Sequence, residues 1–201
     1  MEKKFIFNQD PSRFSADHTN YYWFQNGFTS EELARIEQMT SNLPFEAAGV
    51  GELDKSRVES EYRKSSIKWC PQNEEWEWVY DKLGTMISEA NNSMWKFDLT
   101  HMREQIQYTE YYEGGGQYDW HMDCGIGIQA QRKVSVTVQL SQPDEYEGGD
   151  LQFMLGAGQT WAPRVQGAAV IFPSFFLHRV TPVTKGTRKS FVLWVGGEPY
   201  R

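Results

Sequence analysis

The sequence is poor in several features that define common protein classes. Its two cysteines, Cys70 and Cys124, are too few for the disulfide framework of a small secreted domain, so we expect two reduced thiols. No signal peptide and no apolar run near the roughly 20 residues of a membrane span are seen, so we expect a soluble cytoplasmic protein with no membrane partner. Lys and Arg number 20 against 27 Asp and Glu, and this net charge of −7 argues against a nucleic-acid partner.

Aromatic residues are abundant, with eight Trp, ten Tyr and twelve Phe in 201 residues. A chain of this length buries roughly 70% of its unfolded surface, which is enough for one sizeable core. We therefore expect a single domain over residues 1–201. Residues 1–97 are charged and helix-patterned, whereas residues 98–201 are glycine-rich and strand-patterned, which suggests a helical support region followed by a β core.

Two helices are predicted in the N-terminal half. Thr29 and Glu32 form a capping box that opens the first. The second is predicted from Asn73, as its cap, to about Asn91, because apolar residues recur at helical spacing. That apolar stripe consists of Trp76, Val79, Tyr80, Leu83 and Ile87. The charged segment 47–60 has no clear period, and we regard it as a candidate substrate lid.

The C-terminal half carries short strand patterns at regular spacing, separated by Gly and Pro. The predicted strands lie near 103–112, 117–122, 132–141, 150–155, 168–173, 176–181 and 187–195. Such a series is typical of an antiparallel sandwich or barrel, so the fold class is α+β, mainly β. Within 132–141, valines alternate with Ser135, Thr137 and Gln139, and this polar face would line a pocket if the sheet closes around one.

Two segments offer metal ligands. His121 and Asp123 are two residues apart on an extended segment and therefore share a face. With His178 they make two imidazoles and one carboxylate, the facial triad that leaves half of an octahedral iron open. The simpler reading of a buried histidine is a hydrogen bond to a backbone carbonyl. The residues that interleave with the ligands are expected to face the opposite side and pack in the core; they are Tyr118, Trp120 and Met122.

Arg188 and Ser190 also share one strand face. A guanidinium beside a hydroxyl is a good receptor for a carboxylate. An alternative is a solvated edge strand, since Lys185 and Lys189 lie nearby. The apolar residues from Phe191 onward favour a buried strand, where an unpaired arginine would be costly, and a bound dicarboxylate would supply the missing anion.

Four segments, in this order, carry a resemblance to a known family. They are the pattern Tyr112-x-x-Gly-Gly-Gln-Tyr-x-x-His-x-Asp123, SQPDEYEGGDLQF at 141–153, GAAVIFPSFFLHRVTPVTKGTR at 167–188, and RKSFVLWV at 188–195. With these segments the sequence resembles the Fe(II)- and 2-oxoglutarate-dependent dioxygenases of the prolyl 4-hydroxylase-like family, including the PKHD-type hydroxylases. The resemblance covers about residues 100 to 197.

The resemblance implies a double-stranded β-helix, a jelly roll of the cupin type, with the N-terminal helices packed on one sheet. It implies that His121, Asp123 and His178 bind Fe(II), and that Arg188 pairs with the C-5 carboxylate of 2-oxoglutarate with help from Ser190. The remaining residues that the family pattern and the polar strand face assign to the co-substrate pocket are Tyr112, Thr137, Gln139 and Trp194.

The activity implied is hydroxylation of a substrate C–H bond by O₂, coupled to decarboxylation of 2-oxoglutarate to succinate, with ascorbate as an additional ligand. The substrate would be a prolyl residue in a peptide or protein, or a small molecule, because one scaffold serves many substrates. The alternative from another class is a non-catalytic cupin-like module that binds or senses a metal or 2-oxoglutarate. Formation of succinate distinguishes the two.

Overall fold

The computed structural model describes residues 20–47, 62–156 and 158–198. Residues 48–61 lie outside these ranges, and with them nearly all of the segment predicted as a lid. The described residues form helices α1 (Ser30–Ser41) and α2 (Glu77–Ser93). Their strands are β1 (Tyr22–Phe24), β2 (Glu46–Ala47), β3 (Arg63–Lys64), β4 (Ser66–Cys70), β5 (Leu99–His101), β6 (Ile106–Tyr112), β7 (Gly116–His121), β8 (Arg132–Gln139), β9 (Tyr146–Gly148), β10 (Leu151–Leu155), β11 (Gly158–Trp161), β12 (Ala169–Pro173) and β13 (Leu177–Gly197).

The strands form two antiparallel sheets that share β13. The major sheet has the order β1-β12-β8-β13-β6-β4-β2, and β13 contributes its C-terminal half to it. The minor sheet pairs with the N-terminal half of β13 and has the order β11-β10-β13-β7-β3, with β9 further along the same strand. This arrangement is the double-stranded β-helix, and the predicted mainly β fold class is confirmed.

Strand β13 runs through 21 residues where two separate strands, 176–181 and 187–195, were predicted. Pro182 and Gly186 normally interrupt a strand. Here the register shifts at successive points from His178 to Lys185, so bulges bend the chain from one sheet into the other without ending it. Gly186 has φ of +70°, and a Cβ there would lie 2.1 Å from the carbonyl oxygen of Glu145, so no other residue fits.

The two helices cover one face of the major sheet, as predicted. Helix α1 has the expected capping box, in which the Thr29 N–H donates to Glu32 Oε2 at 2.7 Å and the Glu32 N–H donates to Thr29 Oγ1 at 3.3 Å. Helix α2 begins at Glu77, about one turn later than predicted. Asn73 Oδ1 accepts from the N–H of Trp76, so it caps the turn that precedes the helix. The core between helices and sheet includes Leu33, Ile36, Val79, Leu83, Ile87, Val134, Val136, Val138, Ile171, Phe191 and Leu193.

The region before residue 98 does more than support the β core. It supplies β1, β4 and β2 to the major sheet and β3 to the minor sheet, so the predicted division into a helical part and a β part was too simple. Among the described residues, no helix is both long enough and apolar enough to cross a membrane.

Candidate metal and carboxylate site

A cavity of about 660 Å³ opens on the face of the major sheet that lies away from the helices. Three neighbouring strands, β6, β13 and β8, form its floor, and the register explains which side chains share it. Arg188 is paired with Tyr111, and Val192 is paired with both Gln107 and Thr137. Because cross-strand partners point to the same face of a sheet, these side chains all line the cavity.

The three predicted metal ligands meet at one wall of this cavity. Asp123 lies between the two imidazoles, with Oδ1 at 3.7 Å from His121 Nε2 and Oδ2 at 3.6 Å from His178 Nε2. The strands explain the meeting, since His121 at the end of β7 is the direct partner of His178 in β13. All three side chains are buried, and one ligand atom from each lies within 4.8 Å of the others. The group could hold one metal ion.

Backbone carbonyls fix both imidazole rings. His121 Nδ1 lies 2.7 Å from the carbonyl oxygen of Asp119, and His178 Nδ1 lies 2.9 Å from that of Phe176. A carbonyl only accepts, so each Nδ1 carries the proton and each Nε2 keeps its lone pair for a metal. The simpler reading of the sequence, a histidine bonded to the backbone, is therefore true of both rings and compatible with metal binding.

The electrostatics favour a neutral His121 beside an ionised Asp123. Burial, followed by the charge of nearby His178, lowers the pKa of His121 to about 3. Burial alone would raise the pKa of Asp123, but the two imidazoles and a hydrogen bond from Ser135 outweigh it and lower that pKa. A divalent cation requires these same protonation states.

Arg188 lies at the other end of the floor with an exposed fraction of only 1%. Its Nη2 donates to Gln139 Oε1 at 3.0 Å and its Nη1 to Ser190 Oγ at 3.3 Å. Its Nε is buried and finds no acceptor in the described part of the chain, and no carboxylate there pairs with the guanidinium. A buried cation with an unused donor is costly unless an anion enters the cavity.

Tyr112, predicted to line the co-substrate pocket, lies outside the cavity. It is 41% exposed and its hydroxyl donates to Glu110. Neighbouring residues of a strand point to opposite faces, and Tyr112 is paired with Thr187, whereas Tyr111 is paired with Arg188. Tyr111 therefore takes the place that the sequence analysis gave to Tyr112.

Tyr118 lines the cavity wall instead of packing in the core as predicted. Tyr118 lies three positions before His121 in β7, whereas their partners in β13, Val180 and His178, are two positions apart. This bulge reverses the alternation, so Tyr118 and His121 face the same side and their rings stack with centroids 3.4 Å apart. The guanidinium of Arg63 covers the Tyr118 ring at 4.6 Å.

Arg132 and Glu104 were not predicted but reach the same cavity. Arg132 Nε donates to Glu104 Oε1 at 2.7 Å, and its Nη2 donates to the other carboxylate oxygen. Its Nη1 donates to the carbonyl oxygen of Asp123 at 3.1 Å, and its guanidinium lies 3.8 Å from the ring of Trp194. The strand alternation would place Arg132 with Val134 toward the helices, but the register shifts at Val195 and Gly196 opposite it.

The structure thus brings most of the predicted residues to one cavity. The ligands His121, Asp123 and His178 lie at one wall and Arg188 on the floor, while the other predicted residues found there or bonded to Arg188 are Thr137, Gln139, Ser190 and Trp194. Tyr112 is the exception among the predicted site residues.

The segment that carries this site is similar to known protein sequences. Residues 106–196 match the model of the 2OG-Fe(II) oxygenase superfamily. A PKHD-type hydroxylase of Delftia acidovorans is 43% identical over 89 residues, which cover 41% of this chain and 39% of that protein. A PKHD-type hydroxylase of Burkholderia ambifaria is 32% identical over 146 residues, covering 69% of this chain and 64% of that protein. The chain thus matches under two thirds of the length of either relative.

Solved structures are similar over most of the chain. A prolyl hydroxylase from Trichoplax adhaerens, in complex with a hypoxia inducible factor peptide fragment, has a TM-score of 0.72 at 18% identity, covering 88% of this chain and 83% of its own. A Pseudomonas putida prolyl-4-hydroxylase has a TM-score of 0.69 at 20% identity, covering 88% and 92%. At these identities the likeness establishes the fold. The segment 106–196, which contains His121, Asp123 and His178, is thus similar in sequence to the 2OG-Fe(II) oxygenase superfamily, and the chain shares the fold of these two solved structures.

Proposed function

We propose that this protein is an Fe(II)- and 2-oxoglutarate-dependent dioxygenase that works as a single domain. When bound, the iron supplies the activation of O₂ by which 2-oxoglutarate becomes succinate and carbon dioxide while a substrate C–H becomes C–OH. The observation that carries the proposal is the pairing of two half-sites in one cavity: a three-ligand group, and a buried arginine that pairs with no carboxylate among the described residues.

We assign the metal to Nε2 of His121, Nε2 of His178 and the carboxylate of Asp123. Two imidazoles and one carboxylate suit Fe(II), and three protein ligands leave open positions for small molecules. A structural zinc site would normally be closed by four protein ligands. The carbonyl oxygens that hold each Nδ1 keep both rings in the orientation and tautomer that this role needs.

We assign the distal carboxylate of 2-oxoglutarate to Arg188. Its Nε, which has no acceptor in the described part of the chain, and the groups beside it offer several hydrogen bonds where the arginine is almost fully buried. Ser190 and Gln139 already hold the guanidinium from one side, so the cation is oriented before the acid arrives. Thr137 lies beside them on the floor, and Trp194 lies nearer the metal end.

A five-carbon diacid fills only part of a cavity of about 660 Å³, so room remains for the group to be hydroxylated. We propose a prolyl residue of a peptide as the first substrate to test, because prolyl hydroxylases share the fold. Free amino acids and other small metabolites are the second choice. Screening by mass spectrometry for a product heavier by one oxygen atom would identify the class.

The proposed activity is tested by succinate formation without added substrate. Purified protein with Fe(II), 2-oxoglutarate, O₂ and ascorbate should form succinate slowly, and omission of ascorbate should shorten the active period. Asp123→Ala should abolish the reaction, whereas Asp144→Ala, which removes an exposed carboxylate from a turn, should leave it intact. If the wild-type protein binds both ligands but forms no succinate, the non-catalytic sensing module is the better account.

A further inference from the structure

Asp123 has the least regular backbone of the three proposed ligands. Strand β7 ends at His121, so strand pairing does not fix the residue that must place its carboxylate between two imidazoles. Three contacts hold it instead. Its N–H donates to the carbonyl oxygen of Ser174 at 2.9 Å, its carboxylate accepts from Ser135, and its carbonyl oxygen accepts from Arg132 Nη1 at 3.1 Å.

Arg132 is the one charged group among these three contacts, and it links separate parts of the site. It begins β8 and reaches the loop of Asp123 with one nitrogen, while its flat face covers the ring of Trp194 in β13. Trp194 lines the cavity and is 7% exposed. One guanidinium therefore sets both the backbone of a proposed ligand and the position of a large cavity side chain.

Glu104 determines where that guanidinium lies. Both of its carboxylate oxygens accept from Arg132, one from Nε and one from Nη2, in the parallel two-bond geometry that suits arginine and carboxylate. Its side chain is 18% exposed and that of Arg132 11% exposed, so water screens the pair only partly. Lysine cannot reproduce this arrangement, because a single ammonium neither bonds two oxygens in parallel nor stacks flat on an indole.

We infer that Arg132, oriented by Glu104, is a positioning residue that fixes Asp123 for metal binding and holds Trp194 against the cavity. This inference rests on the proposed function of the metal site. Glu104 then acts through Arg132 alone. Its removal should lower metal affinity although no contact of Glu104 with Asp123 or an imidazole is seen in the described structure.

The test is a Co(II) titration of the full-length metal-free protein, followed by visible absorption, which reports both affinity and ligand geometry. Groups that orient metal ligands typically contribute about 10- to 100-fold to metal affinity. We expect Glu104→Gln, which keeps the shape but removes the charge, to weaken Co(II) binding about tenfold and alter the spectrum. Arg132→Lys should weaken it further, and the double variant should be no worse than Arg132→Lys alone, because Glu104 acts through Arg132.

A matched control lies elsewhere in the fold. Arg164 is also bonded to a carboxylate, Asp150 Oδ1 at 3.2 Å, and also covers an aromatic ring, that of Tyr146 at 4.3 Å. Asp150→Asn should therefore lower the unfolding temperature as much as Glu104→Gln does while leaving the Co(II) affinity and spectrum unchanged.

The outcomes separate this inference from the proposed function. If wild-type protein fails to bind Co(II), the metal site itself is wrong. If wild-type protein binds Co(II) and Glu104→Gln binds it with the same affinity and spectrum, Arg132 has no positioning role. A Glu104→Gln variant that binds Co(II) more weakly but with an unchanged spectrum would also overturn the inference, as would an equal weakening of Co(II) binding in Asp150→Asn, since either would indicate that loss of stability alone lowers the affinity. Glu104→Gln decides the question if Arg132→Lys does not fold.

Discussion

Replacing Arg188 by methionine should separate 2-oxoglutarate binding from metal binding and from folding. Arg188→Met keeps most of the buried volume and removes the charge that lacks a counter-ion in the described structure. Loss of one partner from a buried, hydrogen-bonded charge pair costs about 2–5 kcal/mol. The dissociation constant for 2-oxoglutarate should therefore rise by roughly 30- to 5,000-fold. Metal affinity should change little, because Arg188 contacts none of the three proposed ligands.

In contrast to 2-oxoglutarate affinity, the stability of the ligand-free Arg188→Met variant should change little. Replacing a buried charge by an apolar side chain of similar volume is often neutral or stabilising, although the change leaves Gln139 Oε1 without the donor it now has. We expect these effects to offset one another, so that the unfolding temperature of the ligand-free variant stays within about 4 °C of wild type. A residue kept at this position for folding would show a large loss instead.

The assay is thermal unfolding of the Fe(II)-loaded protein without O₂, with and without 2-oxoglutarate. A ligand at 100 times its dissociation constant stabilises the folded state by about 2.7 kcal/mol, which gives the wild type a clear upward shift. Arg188→Met should show at most about a third of that stabilisation at the same concentration, because the ligand is then at no more than about three times its dissociation constant. Lys189→Met is the matched control, because Lys189 is the next residue of the same strand and its ammonium lies 3.1 Å from Glu37 on the outside. A loss of affinity below tenfold in Arg188→Met would refute the assignment.

Three further predictions concern the site and the fold. Tyr111→Phe should weaken 2-oxoglutarate binding about fivefold, the worth of one neutral hydrogen bond, and Tyr112→Phe should leave it unchanged; equal effects in calorimetry would contradict the register of β6 and β13. Burial lowers the pKa of His121 to about 3, so between about pH 6.5 and pH 3 this imidazole is protonated in the unfolded chain but neutral in the folded protein. The free energy of unfolding of metal-free protein should thus fall as pH drops from about 6.5 toward 3, by up to about 1.4 kcal/mol per unit, and urea titrations of His121→Gln should show a flatter slope. Thr29→Ala should cost about 1 kcal/mol of stability through loss of the cap while ligand binding is retained, and a loss of binding would show that α1 is coupled to the site.

The parts of the site that could be predicted are those carried by short spacings on one strand. His121 and Asp123 two residues apart, and Arg188 and Ser190 two residues apart, each share a face whatever the rest of the chain does. The family resemblance then joined these pairs to His178. The polar face of 132–141 was likewise predictable, because valine and polar residues alternate regularly from Val134 to Gln139.

The parts that could not be predicted depend on bulges or on distant elements. The bulge in β7 turns Tyr118 into the cavity, and the register shift opposite Arg132 turns that residue toward Asp123. Neither irregularity can be located from the sequence, because a bulge changes the local residue pattern too little to be recognised. Glu104 lies between β5 and β6, and Arg63 lies in β3, so only the assembled sheets bring them near the metal ligands. Whether Tyr111 or Tyr112 faces the cavity depends on how β6 pairs with β13, and the sequence alone does not show this pairing.

The most direct test of the account is an anaerobic titration of the Fe(II)-loaded protein with 2-oxoglutarate, followed by visible absorption. Chelation of Fe(II) by a 2-oxo acid gives a weak visible band, and the account predicts that this band grows to saturation at one equivalent per chain in the wild type. The band should be absent in Asp123→Ala and should require far more 2-oxoglutarate in Arg188→Met. Iron that stays bound while no band develops in the wild type would contradict the claim that His121, Asp123 and His178 share one site with Arg188.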